Sequence, residues 1–215
     1  MEPPRAVLFD IDGTILDANH SIRETMNLVL AERGQPTFTM AELERLIGNP
    51  LRVILSQKCK DPAVVEAMVH RYRAAYGESG WVLADPFPGV EDLLRRLHAQ
   101  GTWVGIVTSK GQQEAERLLF DLGVLGLFDV VVGDDDVRPL KPDAAPVRFA
   151  CESMQVAADD AVMVGDTRFD IESAKAAGVR AIGVLWGNGS REELVRAGAD
   201  DLARDVRDLR RLLGT

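Results

Sequence analysis

The spacing of hydrophobic residues along the chain changes at two points, near Asp17 and near Asp85. Before the first point, residues 7–9 form an unbroken apolar run, which is typical of a strand buried on both faces of a parallel sheet. Between the two points, apolar residues recur at helical spacing. After the second, short apolar runs alternate with amphipathic segments. The pattern therefore predicts a strand, an all-helical insert and then a longer α/β segment.

Within the insert, turn and capping residues divide the helical pattern into several helices. Gly34 is placed to end a first helix over 21–33, and Thr39 with Glu42 forms a capping box at the start of a second. The sequence 48–50, Gly-Asn-Pro, breaks the chain before a helical segment over 51–57. Asp61 followed by Pro62 predicts the start of a last, longer helix.

The segment after Asp85 predicts a doubly wound parallel sheet, because strands and helices alternate and crossovers between parallel strands are right-handed. Strands are predicted over 103–107, 130–132, 161–164 and 181–185, and helices over 90–100, 112–122, 142–154, 168–177 and 206–213. The predicted fold class is thus α/β with an inserted helical domain. We expect residues 1–16 and 86–215 to form the α/β core and 17–85 the insert.

Composition narrows the possible functions. The 215 residues are 46% hydrophobic, and the formal net charge is −9. The hydrophobic fraction is enough for a packed core, whereas the negative charge argues against nucleic acid or an anionic membrane as a partner. Cys59 and Cys151 lie far apart without the spacing of metal ligands, which indicates free thiols in a reducing compartment. With no leader or membrane-spanning run in the pattern, we expect a cytoplasmic protein, either monomer or homodimer.

Candidate chemistry begins where the first strand ends. Asp10 follows the apolar run directly and Asp12 comes two residues later, before Gly13. Open α/β sheets bind ligands at the carboxyl ends of their strands, and two carboxylates there can act as nucleophile and proton shuttle. The simpler alternative is that Asp12 and Gly13 form a turn and that Asp10 caps a helix.

Three later segments place further polar residues at strand or helix ends. Thr108 and Ser109 follow a predicted strand, where a hydroxyl and backbone amides can hold an anion. Lys141 precedes Pro142 at a predicted helix entrance, and Asp166 and Asp170 lie on one face of an opening helix. Each residue alone is typical of a helix cap or a solvated surface. Together, four acids against one lysine would take up protons unless a cation joined them, and an all-oxygen site suits Mg²⁺.

The segment Asp10-Ile11-Asp12-Gly13-Thr14-Ile15-Leu16-Asp17 resembles the first signature of the haloacid dehalogenase-like hydrolases, specifically of their aspartate-nucleophile phosphatases. With its helical insert, the chain as a whole resembles the phosphoglycolate phosphatase-like members of that family. The resemblance implies a Rossmann-like core, a helical cap over 17–85 and bound Mg²⁺. It implies that Asp10 is the nucleophile, Asp12 the general acid and base, Thr108 the phosphoryl-binding hydroxyl and Lys141 the charge-neutralising lysine. Further implied residues are the metal ligands Asp10, Asp12 and Asp166, Asp170 as the acid behind them, and Gly13, Thr14 and Ser109 at the substrate. Ser109 stands where relatives often have asparagine.

In the cap, the break at 48–50 is a candidate for a loop that reaches over the site. Asn49 is expected to contact substrate there, and the planar fork of Arg52 suits a carboxylate or a second phosphate; the alternative is a solvated arginine.

The function expected is that of a phosphatase acting on small phosphorylated metabolites, through an aspartyl-phosphate and with Mg²⁺. The alternatives are a sugar-phosphate mutase, which would keep every signature, and a phospho-accepting receiver module of a signalling protein. Receivers present the phosphorylated acid later in a shorter chain and lack a helical insert after the first strand.

Overall fold

A computed structural model describes residues 3–79 and 84–215 of the chain. Residues 1–2 and 80–83, which the sequence assigns to the core and the cap respectively, lie outside the described residues. The centre of the fold is a six-stranded parallel sheet with the strand order β5-β4-β1-β6-β7-β8. Its strands are β1 Ala6–Phe9, β4 Trp103–Val107, β5 Val130–Val132, β6 Ala161–Gly165, β7 Arg180–Val184 and β8 Asp201–Ala203. The structure thus confirms the predicted doubly wound α/β class.

Helices cover both faces of the sheet, and the alternation along β1 shows why. Val7 and Phe9 belong to the hydrophobic cluster on one face, while Ala6 and Leu8 belong to the cluster on the other. The helices of this part are α5 Val90–Ala99, α6 Gln112–Asp121, α7 Ala145–Ser153, α8 Arg168–Ala177, α9 Arg191–Ala197 and α10 Val206–Leu213. Because both faces of β1 are packed against helices, the strand fixes the position of the residues that follow its carboxyl end.

The helical insert leaves and re-enters the sheet domain through a short antiparallel ribbon. Strand β2, Leu16–Asp17, pairs with β3, Asp85–Pro86. Between them lie α1 Asn19–Glu32, α2 Met40–Glu44, α3 Leu51–Leu55 and α4 Pro62–Ser79. These helices pack around a hydrophobic cluster of their own. This arrangement supports the proposed division into a cap, 17–85, and a core, 1–16 and 86–215.

Several element boundaries differ from the prediction. Helix α7 begins at Ala145 rather than at 142, because the Asp143 carboxylate accepts a hydrogen bond from the Ala145 amide at 2.9 Å and holds this segment in a turn before the helix. Strand β8 is short and only partly buried, so its pattern predicts no strand. Helix α3 ends at Leu55 rather than at 57, and the next residues form hydrogen-bonded turns. Among the described residues, no helix combines the length and apolarity that a membrane crossing requires.

The register of the central strands determines which side chains meet. Phe9 of β1 pairs with Ile106 of β4 on one side and with Val164 of β6 on the other. The residues that follow these three strands therefore emerge side by side at one edge of the sheet. Asp10 and Asp166 are among them, as the sequence predicts.

Candidate active site

Asp10 lies at the carboxyl end of β1 and is buried. Its Oδ1 atom is 3.2 Å from Nζ of Lys141, yet among the described residues it has no hydrogen-bond partner. Burial raises the pKa of Asp10 to about 8 against the opposing charge of Lys141, with further contributions from the charges of Asp170 and Asp166. The carboxylate is therefore held among charges that only partly compensate it.

Lys141 reaches this site from the loop before α7. Its ammonium donates to the Val107 carbonyl at 2.9 Å and to Oδ1 of Asp170 at 2.6 Å, and its side chain is only 3% exposed. Burial opposes this charge, but the attraction of Asp10 and Asp170 keeps the pKa of Lys141 above its usual value. Lys141 is thus a permanently charged group beside Asp10, as the sequence predicts.

Asp170 holds that lysine in place. Its second oxygen accepts hydrogen bonds from the Thr167 amide, at 3.0 Å, and from the Thr167 hydroxyl, at 2.7 Å. Both residues are buried at the start of α8. The two oxygens of Asp170 therefore have partners already, which agrees with its predicted position behind the reacting groups.

Asp166 follows β6 and is completely buried. Oδ1 accepts from the Thr14 hydroxyl at 3.1 Å, and Oδ2 accepts from the Asn188 amide and side chain at 2.7 and 3.0 Å. Burial and the charge of Asp170 raise its pKa to about 7, although the Asn188 and Thr14 hydrogen bonds oppose this shift. Gly13 has φ of +83°, and a Cβ there would lie 2.2 Å from Oδ2 of Asp166, so only glycine fits the turn.

These acids form a site that fits a cation. Oxygens of Asp10, Asp166 and Asp170 lie within 4.8 Å of one another, and all three residues are buried. The donors are all oxygen, which hard divalent ions prefer, and Oδ1 of Asp10 is a buried acceptor with no hydrogen-bond partner in the part of the chain that the structure describes. The described residues thus supply a site able to hold a divalent metal.

Asp12 turns away from this cluster. Its Oδ2 atom lies 3.1 Å from Nζ of Lys110, so the carboxylate faces the cap while Asp10 faces Lys141. Lys110 is buried, lies 3.5 Å from Oε1 of Glu114 and rests 4.2 Å above the ring of Tyr76 in α4. Among the described residues, the Asp12 carboxylate is therefore not part of the group of acids formed by Asp10, Asp166 and Asp170.

A cavity of about 60 Å³ lies where the cap covers this edge of the sheet. Asp10, Asp12 and Thr108 line it from the core, and Asn49 lines it from the cap. Ser109 also lines the cavity, and its hydroxyl donates to the Gly48 carbonyl at 3.2 Å, a direct contact between core and cap. Five of the predicted site residues, Ser109 included, therefore line one cavity.

Two of the predicted substrate contacts have other partners. The Thr14 hydroxyl is used by Asp166, and neither Thr14 nor Gly13 is among the described residues lining the cavity. The structure contradicts the predicted contact of Arg52 with substrate. Its guanidinium forms a two-bond ion pair with Glu66, and the side chain is 54% exposed. It borders a separate surface pocket, because α3 turns this residue towards α4 and solvent. The alternative of a surface arginine is the one the structure supports.

Sequence reasoning missed four residues of this site. Lys110 stands directly after Ser109 at a strand end, and Asn188 lies between two glycines after β7, so position could have identified both. Glu114 and Arg73 also line the cavity, yet each occurs in an amphipathic helix whose pattern carries no such signal.

Comparisons with known proteins agree with this geometry. The family model described as haloacid dehalogenase-like hydrolase matches residues 7–184. A phosphoglycolate phosphatase of Xanthomonas campestris is 38% identical over 189 residues, which cover 87% of this chain and 86% of that protein. Another, of Rhodospirillum rubrum, is 33% identical over 214 residues, with 93% and 88% covered.

Solved structures show the same architecture. A crystal structure of a predicted phosphatase from Clostridium acetobutylicum superposes with a TM-score of 0.89 at 27% identity, and each chain is covered completely. The relatives and the family model together confirm the prediction of a phosphatase, a phosphoric monoester hydrolase. The chain belongs to the haloacid dehalogenase-like hydrolases and is similar to the phosphoglycolate phosphatases among them.

Proposed function

We propose that the protein is a Mg²⁺-dependent phosphatase that hydrolyses small phosphate monoesters through a phosphorylated Asp10. The observation that carries the proposal is the opposite orientation of two carboxylates at one cavity. Asp10 faces Lys141 and the acidic cluster, whereas Asp12 faces Lys110 and the cap. This division separates an attacking group from a proton-transferring group, as a two-step hydrolysis requires.

In the first step, an Asp10 carboxylate oxygen forms a bond to phosphorus while the bond from phosphorus to the ester oxygen breaks. Asp12 gives its proton to the departing alkoxide, which leaves as an alcohol. In the second step, Asp12 takes a proton from water as that water attacks phosphorus. The bond between Asp10 and phosphorus breaks, inorganic phosphate leaves, and both carboxyl groups return to their starting states.

Charge stabilisation comes mainly from Lys141 and from the Thr108 segment. Lys141 stands 3.2 Å from the attacking carboxylate and can balance negative charge on the phosphoryl oxygens. Thr108 lines the cavity and offers a hydroxyl to the same oxygens. Mg²⁺, held by the Asp10 carboxylate, the Asp12 carbonyl and Asp166, would neutralise phosphoryl charge when bound. The cap covers this edge of the sheet, and its closure over a bound substrate would exclude water from the reacting groups.

A short phosphorylated acid, similar to phosphoglycolate, is the proposed substrate. The names of the relatives support this class. A panel of phosphorylated acids, sugars and nucleotides, assayed for phosphate release with Mg²⁺, tests the proposal. Phosphoglycolate should have the highest kcat/KM; no release from any ester would reject the function.

Asp12→Asn is expected to slow hydrolysis of alkyl phosphates by about 10²–10⁴-fold, the usual contribution of a general acid or base. Loss should be much smaller for 4-nitrophenyl phosphate in a single turnover, because that leaving group departs without a proton. Rapid-quench measurements of alcohol release from the alkyl ester and of phenol release from 4-nitrophenyl phosphate give the two losses separately. An equal loss for both esters would show that Asp12 does not protonate the leaving group.

Arg52→Ala is expected to change kcat and KM by less than about twofold for every substrate, since an exposed ion pair contributes little. Arg52 points away from the cavity and pairs with Glu66. Steady-state assays of an acid-bearing and a neutral ester check this. A large rise in KM confined to the acid would restore Arg52 to the substrate site.

A further inference from the structure

The cavity above Asp12 has a charged wall that the hydrolytic steps do not use. Two of the described residues lining it are cationic, Arg73 from α4 of the cap and Lys110 from the loop after β4. The remaining cap wall is mostly apolar and includes Ile22, Met26, Ile47, Leu51 and Ile54. The leaving group must occupy this space, because Asp12 has to contact the ester oxygen that it protonates. Whatever the leaving group carries therefore meets Arg73 and Lys110.

Lys110 is the cation that the core contributes to this wall. Its side chain is 6% exposed, and its ammonium lies 3.1 Å from Asp12 and 3.5 Å from Glu114. The ammonium also lies 4.2 Å from the centre of the Tyr76 ring in the cap. It therefore stands beside Asp12, where the leaving group must bind. A carboxylate on the leaving group would gain a charge-assisted contact with this ammonium.

Arg73 has a donor without a partner. Its Nη2 atom donates to both oxygens of Asp134, at 2.8 and 3.0 Å, while Nε is buried and has no hydrogen-bond partner among the described residues. The guanidinium lies over Gly111, where a Cβ would come within 3.5 Å of Cζ and Nη2. Gly111 directly follows Lys110, so the cap brings a second cation to the loop that carries the first.

Glu114 repels an anion that binds beside Arg73 and Lys110. It lines the cavity, and burial raises its pKa although Lys110 and Arg73 lower it. A buried carboxylate beside two cations acts as their counter-ion. An incoming anion must compete with it, so Glu114 should weaken the binding of an acid and have little effect on a neutral ester.

We propose that Arg73 and Lys110 bind a carboxylate on the leaving group and thereby select short phosphorylated acids. This rests on the proposed phosphatase function and assigns its specificity to one arginine of the cap and one lysine of the core. Arginine suits this task because its planar group can pair with both oxygens of a carboxylate. Arg73 belongs to the cap and Lys110 to the core, so the carboxylate would be bound between the two parts of the chain.

The test compares 2-phosphoglycolate with 2-hydroxyethyl phosphate, which has the same carbon skeleton and no carboxylate. Arg73→Met should lower kcat/KM by about 10²-fold for the acid and by less than about threefold for the alcohol. Arg73→Lys should recover part of the difference. Glu114→Gln should lower KM for the acid alone. Lys110→Met should lose the same preference, together with any shared loss that follows from its contact with Asp12.

Asp134→Asn is the matched control, because it weakens the link between cap and core and retains the Arg73 cation. It should not lower kcat/KM for the acid more than for the alcohol, because removing a carboxylate that pairs with Arg73 does not weaken the attraction of this cation for a substrate carboxylate. If it reproduces the selective loss of Arg73→Met, or if Arg73→Met affects both esters equally, Arg73 only holds the cap closed and the proposal fails. Failure of the wild-type enzyme to hydrolyse either ester would instead reject the phosphatase function. Thermal unfolding of each variant verifies that it is folded.

Discussion

Replacing Asp10 with asparagine is expected to reduce phosphate release by at least about 10⁴-fold, because a carboxamide cannot attack phosphorus as a carboxylate does. The substitution keeps the size of the side chain, and Asp10 is buried at the end of β1 between two paired strands. Its Oδ1 atom has no hydrogen-bond partner among the described residues, so the amide breaks no hydrogen bond there. Loss of activity should therefore come without loss of the fold. Steady-state phosphate release and circular dichroism measure the two.

Asp159→Asn is the matched control for this substitution. Asp159 is exposed and precedes β6 at the opposite edge of the sheet from Asp166. The same chemical change at Asp159 should leave kcat and KM within about twofold of the wild-type values, because substitutions at exposed positions away from the active site usually have small effects. An Asp10→Asn enzyme with more than a few per cent of wild-type turnover would contradict the assignment of Asp10 as the nucleophile.

Removal of the metal is the second change with a large expected effect. Chelation should abolish turnover, and added Mg²⁺ should restore it, because the phosphate would otherwise approach a cluster of crowded buried acids. Chelation should also lower the unfolding temperature. The pKa values of Asp10 and Asp166, about 8 and about 7, are raised above the ordinary value of 3.8, mainly by burial. The folded, metal-free protein then binds more protons than the unfolded chain.

The sign of the pH effect follows from that difference. Stability of the metal-free protein should fall as pH rises from about 4 towards about 8, since ionisation of these acids is harder in the folded state. Mg²⁺ removes this cost, so its stabilising effect should be larger at pH 8 than at pH 6. Calorimetry with chelator and with Mg²⁺ at both values tests this. Asp159→Asn should keep the Mg²⁺ response and Asp166→Asn should lose it; unchanged activity and unfolding after complete chelation would exclude a metal.

The parts of the site that the sequence predicts are those set by strand ends. Asp10, Thr108 and Asp166 follow apolar runs, and parallel strands bring their carboxyl ends to one edge of the sheet whatever the details of packing. The short polar segments after those runs therefore indicate location as well as chemistry. The same reasoning extends to Lys110 and Asn188, which follow strands in the same way.

Whether a cap residue faces the cavity cannot be predicted from strand ends. Arg52 and Arg73 are both arginines on cap helices, yet one pairs with Glu66 at the surface and the other lines the cavity. Which of them faces the core depends on how α3 packs on α4 and α4 on α1, and that arrangement is a tertiary property without a local pattern. Strand β8 illustrates the other limit, because three residues, only one of them fully buried, are too few for a periodicity to stand out.

The most direct test of the account is to trap the phosphorylated carboxylate. Enzyme mixed with substrate and Mg²⁺ is quenched with acid within milliseconds and treated with borohydride, which reduces an acyl phosphate to the corresponding alcohol. Peptide mass spectrometry then locates the product. We expect homoserine in place of Asp10, dependent on substrate, and unmodified Asp12 in the same peptide. Rapid phosphate release with residue 10 unmodified, or homoserine at another aspartate, would contradict nucleophilic catalysis by Asp10.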